Sequence, residues 1–151
     1  MKATKASIDK FLAGRKMAIA GVTRDPKEFG YQVYEQIKKT GVEVLVVHPI
    51  AEKIDGISCY KNIGVLPDDV RHLIIVTPKR QTYNLVNDAI AKGIGNIWIQ
   101  QMSGTPEAIE LAKANKINLV TGECIFMHTE PLKGVHKFHR TIRRLFGRMP
   151  V

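Results

Sequence analysis

The stretch RKMAIAGVTRDPKEFG, from Arg15 to Gly30, decides the fold of this 151-residue chain. Its apolar run, Lys16 to Ala20, has the length of a β-strand and no helical periodicity. Gly21 permits a positive φ or a close backbone approach, and Asp25-Pro26 marks a turn before a helical pattern that begins at Phe29. A strand, a glycine turn and a helix N-terminus together form an anion site, because the first helical amides lack intrahelical partners. We therefore predict a ligand-binding loop at this stretch.

Length and composition indicate a soluble globular protein. With 44% hydrophobic and 25% charged residues, we expect residues 1–151 to form a single domain, with an N-terminal helical segment at 1–14 and a basic helical tail at 132–151. No apolar run approaches the roughly 18 residues of a membrane span, and the N-terminus lacks the apolar core of a signal peptide. These features predict a cytoplasmic location and no membrane partner.

Positive charge is concentrated near the C-terminus. The formal net charge is +9, and the segment from Pro131 onward contains no Asp or Glu. Its cations are Lys133, Lys137, Arg140, Arg143, Arg144 and Arg148. Residues 134–147 have the pattern of a basic amphipathic helix, which we interpret as packed through its apolar side rather than as a nucleic-acid arm.

The cysteines predict neither a disulfide scaffold nor a zinc site. Cys59 and Cys124 belong to no CxxC pair, so reduced thiols are expected. Cys124, His128, His136 and His139 are close in sequence, but they match no established zinc spacing, and we predict no metal. We interpret Cys124 as a small buried apolar residue, with a thiol that exchanges with a ligand as the alternative.

Strands and helices are predicted to alternate along the chain. The predicted helices are Ser7 to Gly14 with Ser7 as N-cap, Tyr31 to Thr40, Gln81 to Lys92, and Pro106 to about Asn115 with Thr105 as N-cap. The predicted strands are Lys16 to Ala20, Glu43 to Val47, Gly56 to Tyr60, His72 to Val76, Asn96 to Gln100 and Ile117 to Thr121. Uninterrupted apolar strands joined by helices predict a three-layer, Rossmann-like, doubly wound and mainly parallel α/β sheet, with the basic C-terminal helix added.

Ligands of such sheets bind at the carboxyl ends of the strands, near the topological switch point. A dinucleotide fingerprint would place G-x-G-x-x-G in the first loop and an acid after the second strand. Here Gly21 is followed only by Gly30, and His48 stands where the acid would be, which disfavours NAD without excluding it. The cations Arg24, Lys27 and Lys53 suit a ligand that carries several phosphates.

Four segments together resemble a known family. They are IAGVTRDPKEFGYQVYEQIKKTGVEVLVVHP (19–49), LPDDVRHLIIVTP (66–78), the tryptophan strand NIWIQ (96–100) and TGECIFM (121–127). In this order they resemble stand-alone CoA-binding-domain proteins, which are similar to the N-terminal domain of the succinyl-CoA synthetase α subunit. The resemblance covers roughly residues 16–127 and implies a Rossmann-like sheet that binds CoA across its strand ends.

The resemblance also implies roles for individual residues. The phosphate-binding loop would be Gly21, Val22, Thr23 and Arg24, closed by Phe29 and Gly30. Pro49 and Lys53 would lie at the adenosine end, with Lys53 at the 3′-phosphate; Val76, Thr77 and Pro78 would border the adenine and pyrophosphate, and Ile99, Gln100 and Gln101 the pantetheine. The chain departs from the family pattern at His48-Pro49, where Asn-Pro is usual, and at Gln101-Met102, where a glycine soon follows the Gln in many members.

The resemblance and the loop chemistry lead to a functional hypothesis. We expect non-catalytic binding of CoA or an acyl-CoA, in a carrier, sensor or subunit role, with a homodimer or a partner protein left open. Synthetases with this domain also need a phosphohistidine segment and an ATP-binding module, and the sequence shows no nucleophile with a positioned base. The alternatives are an NAD(H)- or nucleotide-responsive regulator that contacts nucleic acid through the basic tail, and a CoA-dependent enzyme completed by a partner subunit.

Overall fold

The computed structural model describes residues 3–129, in which strands and helices alternate along the chain. The helices are α1 (Lys5–Leu12), α2 (Phe29–Lys39), α3 (Lys79–Lys92) and α4 (Pro106–Ala114). The strands are β1 (Lys16–Ala20), β2 (Glu43–Val47), β3 (Lys53–Ile54), β4 (Ile57–Tyr60), β5 (His72–Ile75), β6 (Asn96–Gln100) and β7 (Asn118–Glu123). Short 3₁₀ turns lie at Ile63–Val65 and Ile125–Met127.

These strands form one seven-stranded sheet in the order β3-β4-β2-β1-β5-β6-β7. All neighbouring strands are parallel except β3, which runs antiparallel to β4. β1 lies between β2 and β5, with Ala18 opposite Leu45 on one side and Leu73 on the other. The chain therefore leaves β1 in one direction and later returns on its other side, which creates the topological switch point of a doubly wound sheet.

Apolar side chains fill both faces of the sheet. On one face Met17 and Ile19 of β1 belong to a core cluster with Phe11 of α1 and Ile37 of α2. On the other face Ala18 and Ala20 pack in a second cluster with residues of α3 and α4. Helices therefore cover both faces of the sheet, which confirms the predicted three-layer Rossmann-like fold. It also explains why β1 is an uninterrupted apolar run, since both of its faces are buried.

Several predicted boundaries differ from the structure. Thr4, not Ser7, is the N-cap of α1: its hydroxyl accepts the Ser7 N–H at 3.1 Å, while the Ser7 hydroxyl accepts the Thr4 N–H, a reciprocal capping box. The strand predicted to begin at Gly56 begins at Ile57, and its two-residue partner β3 was not predicted. α3 begins at Lys79, two residues before the predicted start. The predicted tail helix at 132–151 lies outside the described residues.

Every helix within residues 3–129 is too short or too polar to traverse a bilayer.

Candidate functional site

A cleft of about 720 Å³ opens at the carboxyl ends of β2, β1, β5 and β6, at the switch point. Its volume lies in the range of small-molecule and cofactor sites. Most of the predicted site residues line it: Gly21, Val22, Thr23, Phe29, Gly30, Pro49, Val76, Thr77, Pro78, Gln100 and Gln101. The fold therefore brings together residues that are separated by up to 80 positions in the sequence.

Arg24, Lys53 and Ile99 do not line the cleft. Ile99 is fully buried in the core cluster beneath α3 and α4, because successive residues of β6 point to opposite faces of the sheet. Lys53 is exposed on the outermost strand, β3. Arg24 is exposed as well, but its charge helps to lower the pKa of His48, which places the guanidinium near the rim of the cleft.

Two glycines allow α2 to begin directly against the end of β1. Gly21 has a φ of 109°, and a Cβ there would lie 2.7 Å from the backbone carbon of Val76. A Cβ at Gly30 would overlap the carbonyl oxygen of Gly21. A side chain at either position would push α2 or β5 away from the loop, so the cleft floor depends on both glycines.

The two helices that open on the cleft have no side-chain caps. Glu28 is the N-cap of α2 and Pro78 is the N-cap of α3, and neither side chain accepts a helix amide. By contrast, Thr4 caps α1 and Thr105 caps α4, and neither residue lines the cleft. The first amides of α2 and α3, together with both helix dipoles, thus present positive electrostatic potential to a bound anion.

Two threonine hydroxyls in the cleft wall are buried without a hydrogen-bond partner. They are the Oγ1 atoms of Thr23, in the loop after β1, and Thr77, in the loop after β5. Thr77 is only 6% exposed. An unpaired buried hydroxyl is costly, which is typical of a group that a ligand satisfies.

His48 organises the loop after β2. Its Nδ1 accepts the N–H groups of Ile50 at 3.1 Å and Ala51 at 2.8 Å. These bonds require the neutral ring with its proton on Nε2, and burial followed by the charge of Arg24 lowers the pKa of His48. The ring nitrogen thus accepts amides two and three residues ahead, as an Asn side chain does in an Asx turn.

At the other end of the cleft, β6 and β7 are joined by a buried side chain. The Gln100 Oε1 accepts the N–H of Ile125 at 3.0 Å, beside a register shift between the two strands. Cys124 follows β7 but does not line the cleft, and burial raises the pKa of its thiol. His128 lies 3.2 Å from the buried Glu123 carboxylate. Among residues 3–129, no group of three metal-ligating side chains is assembled.

The sequence reasoning missed several lining residues. They include Glu28, Lys61, Asn62, Gln81, Asp88, Met102 and Ser103. Lys61 directly follows β4, so applying the strand-end rule to this weakly predicted strand would have found it. Met102 and Ser103 continue the turn after β6, one and two residues beyond the predicted Gln101.

A doubly wound sheet with an anion-attracting cleft at its switch point defines a Rossmann-like ligand-binding domain. Residues 15–130 match the model of the family described as "CoA binding domain", and the chain belongs to this family.

Similarity to individual proteins agrees with this assignment. Over 93 residues the chain is 31% identical to acetate–CoA ligase (ADP-forming) II subunit alpha of Pyrococcus furiosus, an alignment that covers 61% of this chain but 20% of that protein. A conserved hypothetical protein from Pyrococcus furiosus has a similar structure, with a TM-score of 0.73, 27% identity, and coverage of 76% of this chain and 99% of that one. A hypothetical protein from Pyrococcus horikoshii superposes with a TM-score of 0.76 at 25% identity, covering 81% and 87% of the two chains.

The family match supports CoA rather than NAD(H) as the ligand class, and it does not favour the nucleotide-responsive regulator. The tail through which that regulator would contact nucleic acid lies outside the described residues.

Proposed function

We propose that this protein binds CoA or an acyl-CoA in the switch-point cleft without transforming it. The observation that carries the proposal is the unpartnered Thr77 hydroxyl in the cleft wall, directly before the uncapped N-terminus of α3. The hydroxyl and the first amides of α3 are all donors, and the diphosphate of CoA is an anion that can accept hydrogen bonds from them. The family assignment supports the same ligand.

The charges along the cleft support one orientation of the ligand. Lys61 follows β4, and the charge of Arg24 acts on His48, so the β2–β4 end has two cations against one lining carboxylate, Asp88. We place the adenosine 3′-phosphate there, with Lys61 in the role that the family resemblance implied for Lys53. The pantetheine arm then extends past the α2 and α3 N-termini towards Gln100 and Gln101, which end β6.

A non-catalytic role is supported by the chemistry of the lining. The Ser103 hydroxyl donates to the Thr77 carbonyl at 2.8 Å, so it is not poised as a nucleophile. The hydroxyls of Thr23 and Thr77 have no base within hydrogen-bonding distance. The Nδ1 of His48 is occupied by two backbone amides. These residues hold a ligand, which suits a carrier, a sensor or a binding subunit of a larger assembly.

Calorimetric titration with CoA and dephospho-CoA tests the proposal. We expect saturable binding of CoA, and the absence of heat with either compound at micromolar protein would overturn it. Lys61→Ala should weaken CoA binding up to about fivefold, the range for an exposed ion pair, and leave dephospho-CoA unaffected. Lys53→Ala is the matched control, because the same charge is removed outside the cleft lining. Equal effects of both substitutions on CoA would contradict the placement of the 3′-phosphate.

Two further measurements test whether the protein transforms its ligand and whether it is a subunit of a larger assembly. Chromatography of acetyl-CoA after incubation with the protein should show unchanged ligand, whereas hydrolysis or acyl transfer would contradict the non-catalytic role. Affinity purification from the native host, followed by mass spectrometry, would favour the subunit role if a ligase component co-purifies. The relative from Pyrococcus furiosus is a subunit of an acetate–CoA ligase, which makes such a component a specific candidate.

A further inference from the structure

The β6 end of the cleft carries apolar side chains that phosphate binding does not use. Met102, just after β6, lines the cleft and is 78% exposed. Phe29, the first residue of α2, also lines it and is 44% exposed. The Phe29 ring meets the ring of Phe126 edge-on, with centroids 5.5 Å apart, and Phe126 lies just beyond β7. Phe29 therefore belongs to the same end of the cleft as Met102.

Met102 has a backbone conformation that normally favours glycine. Its φ is 78°, in the left-handed region. The turn is held by the Ser103 N–H, which donates to the Gln100 carbonyl at 2.9 Å, and by the Ser103 hydroxyl on Thr77. The exposed Met102 side chain gains little from packing within the described chain. Strained residues cluster at ligand sites, and a flexible methionine side chain on a cleft wall suits contact with an apolar group of a ligand.

The charges of the lining constrain what this apolar end can accept. Among the described lining residues Lys61 is the one Lys or Arg, and it lies at the opposite, β4 end. Glu28, which precedes Phe29, contributes a carboxylate instead. An acyl group with a free carboxylate would find no cationic side chain among the described lining residues at this end, whereas an uncharged hydrocarbon would bury apolar surface.

We propose that Met102 and Phe29 form a subsite for an uncharged aliphatic acyl group, so that the protein prefers an acyl-CoA thioester to free CoA. This inference rests on the proposed function, since the pantetheine arm must point towards β6. The ligands expected at this subsite are short aliphatic CoA thioesters without a terminal carboxylate.

Calorimetric titration with CoA, acetyl-CoA, butyryl-CoA and succinyl-CoA tests the subsite. A fully enclosed methylene contributes about fourfold in affinity, so butyryl-CoA should bind up to about fifteenfold more tightly than acetyl-CoA and at least threefold more tightly in this open cleft. Succinyl-CoA should bind more weakly than butyryl-CoA. Met102→Gly should reduce the butyryl preference at least threefold while preserving the affinity for free CoA, because glycine adopts this φ without strain.

Two variants serve as controls. Met102→Leu keeps an apolar side chain and should keep the butyryl preference. Ile50→Ser removes another exposed apolar side chain, 84% exposed and outside the lining, and should change nothing.

The outcomes distinguish the two proposals. Equal affinities for CoA and butyryl-CoA, with clear binding of both, would overturn the acyl subsite alone. A butyryl preference that survives Met102→Gly would overturn the assignment to Met102, and tighter binding of succinyl-CoA than of butyryl-CoA would overturn the charge argument. Absence of binding for all four compounds would overturn the proposed function and the subsite together.

Discussion

Replacing Thr77 with valine should stabilise the ligand-free protein and weaken its complex with CoA. Thr77 is 6% exposed, and its Oγ1 has no partner. A buried hydroxyl without a hydrogen bond costs about 1–3 kcal/mol, and a methyl group of similar shape avoids that cost. We therefore expect the free energy of unfolding to rise by about 1 kcal/mol, which corresponds to roughly 2–4 °C in Tm for a chain of this length. Urea denaturation measures the change in the free energy of unfolding, and calorimetric titration measures the change in CoA affinity.

The loss in binding follows from the same atom. A hydrogen bond from the Thr77 hydroxyl to a charged phosphate contributes about 1.5–3 kcal/mol, so Thr77→Val should weaken CoA binding at least tenfold. Thr82→Val is the matched control, because the fully buried Thr82 hydroxyl donates to the Ser103 carbonyl at 2.6 Å. That variant should be destabilised by about 1–2 kcal/mol. If Thr77→Val is destabilised equally and binds CoA normally, the hydroxyl is no ligand group and the reasoning is refuted.

Two further predictions concern the loops around the cleft. The wild-type free energy of unfolding should fall as the pH drops below about 6.5, because burial and Arg24 lower the pKa of folded His48 and the unfolded chain takes up the proton first. In urea titrations at pH 7.5 and 5, the free energy of unfolding of His48→Asn should fall less than that of the wild type. Part of the fall should remain, because burial also lowers the pKa of His72. An unchanged fall would exclude His48 as a contributor. Gly30→Ala should lose about 1–3 kcal/mol of stability and most of its CoA affinity, because the added Cβ would overlap the Gly21 carbonyl oxygen. Gly95→Ala is the control: open space surrounds the added carbon, so this variant should behave as wild type in the same assays.

The parallel core of the fold could be predicted from the sequence because its signals are local. β1, β2 and β6 begin and end as predicted, since each is an apolar run bounded by polar or turn residues. The start of α4 was equally clear from Thr105-Pro106, an N-cap followed by a first-turn proline. The start of α1 was missed because Thr4 and Ser7 both suit an N-cap, and a capping box with Ser at its fourth position lacks the usual Glu or Gln.

The candidate site depends on geometry that single positions do not reveal. The structure brings the loops after β1 and β5 together because both strands end at the switch point, which the pattern predicted. It separates Lys53 from the cleft because β3 folds back as a hairpin on β4, and two-residue strands give no periodic signal. The left-handed φ of Met102 could not be predicted either. Such a φ is normally indicated by a glycine in the sequence, and this position is a methionine.

The buried Gln100 amide has a mechanical consequence for the cleft. Through its bond to the Ile125 N–H, it ties the end of β6 to the segment whose next residue, Phe126, meets the Phe29 ring at the start of α2. The two walls at this end are therefore connected behind the cleft, through the Gln100 hydrogen bond and the contact between the two phenylalanine rings. At the opposite end, the loop carrying Ile50 is held by the bonds to His48, and Ile50 itself is 84% exposed. The β6 end of the cleft is therefore held by contacts among three segments, whereas the shape of the β2 end depends on the two amide hydrogen bonds to His48.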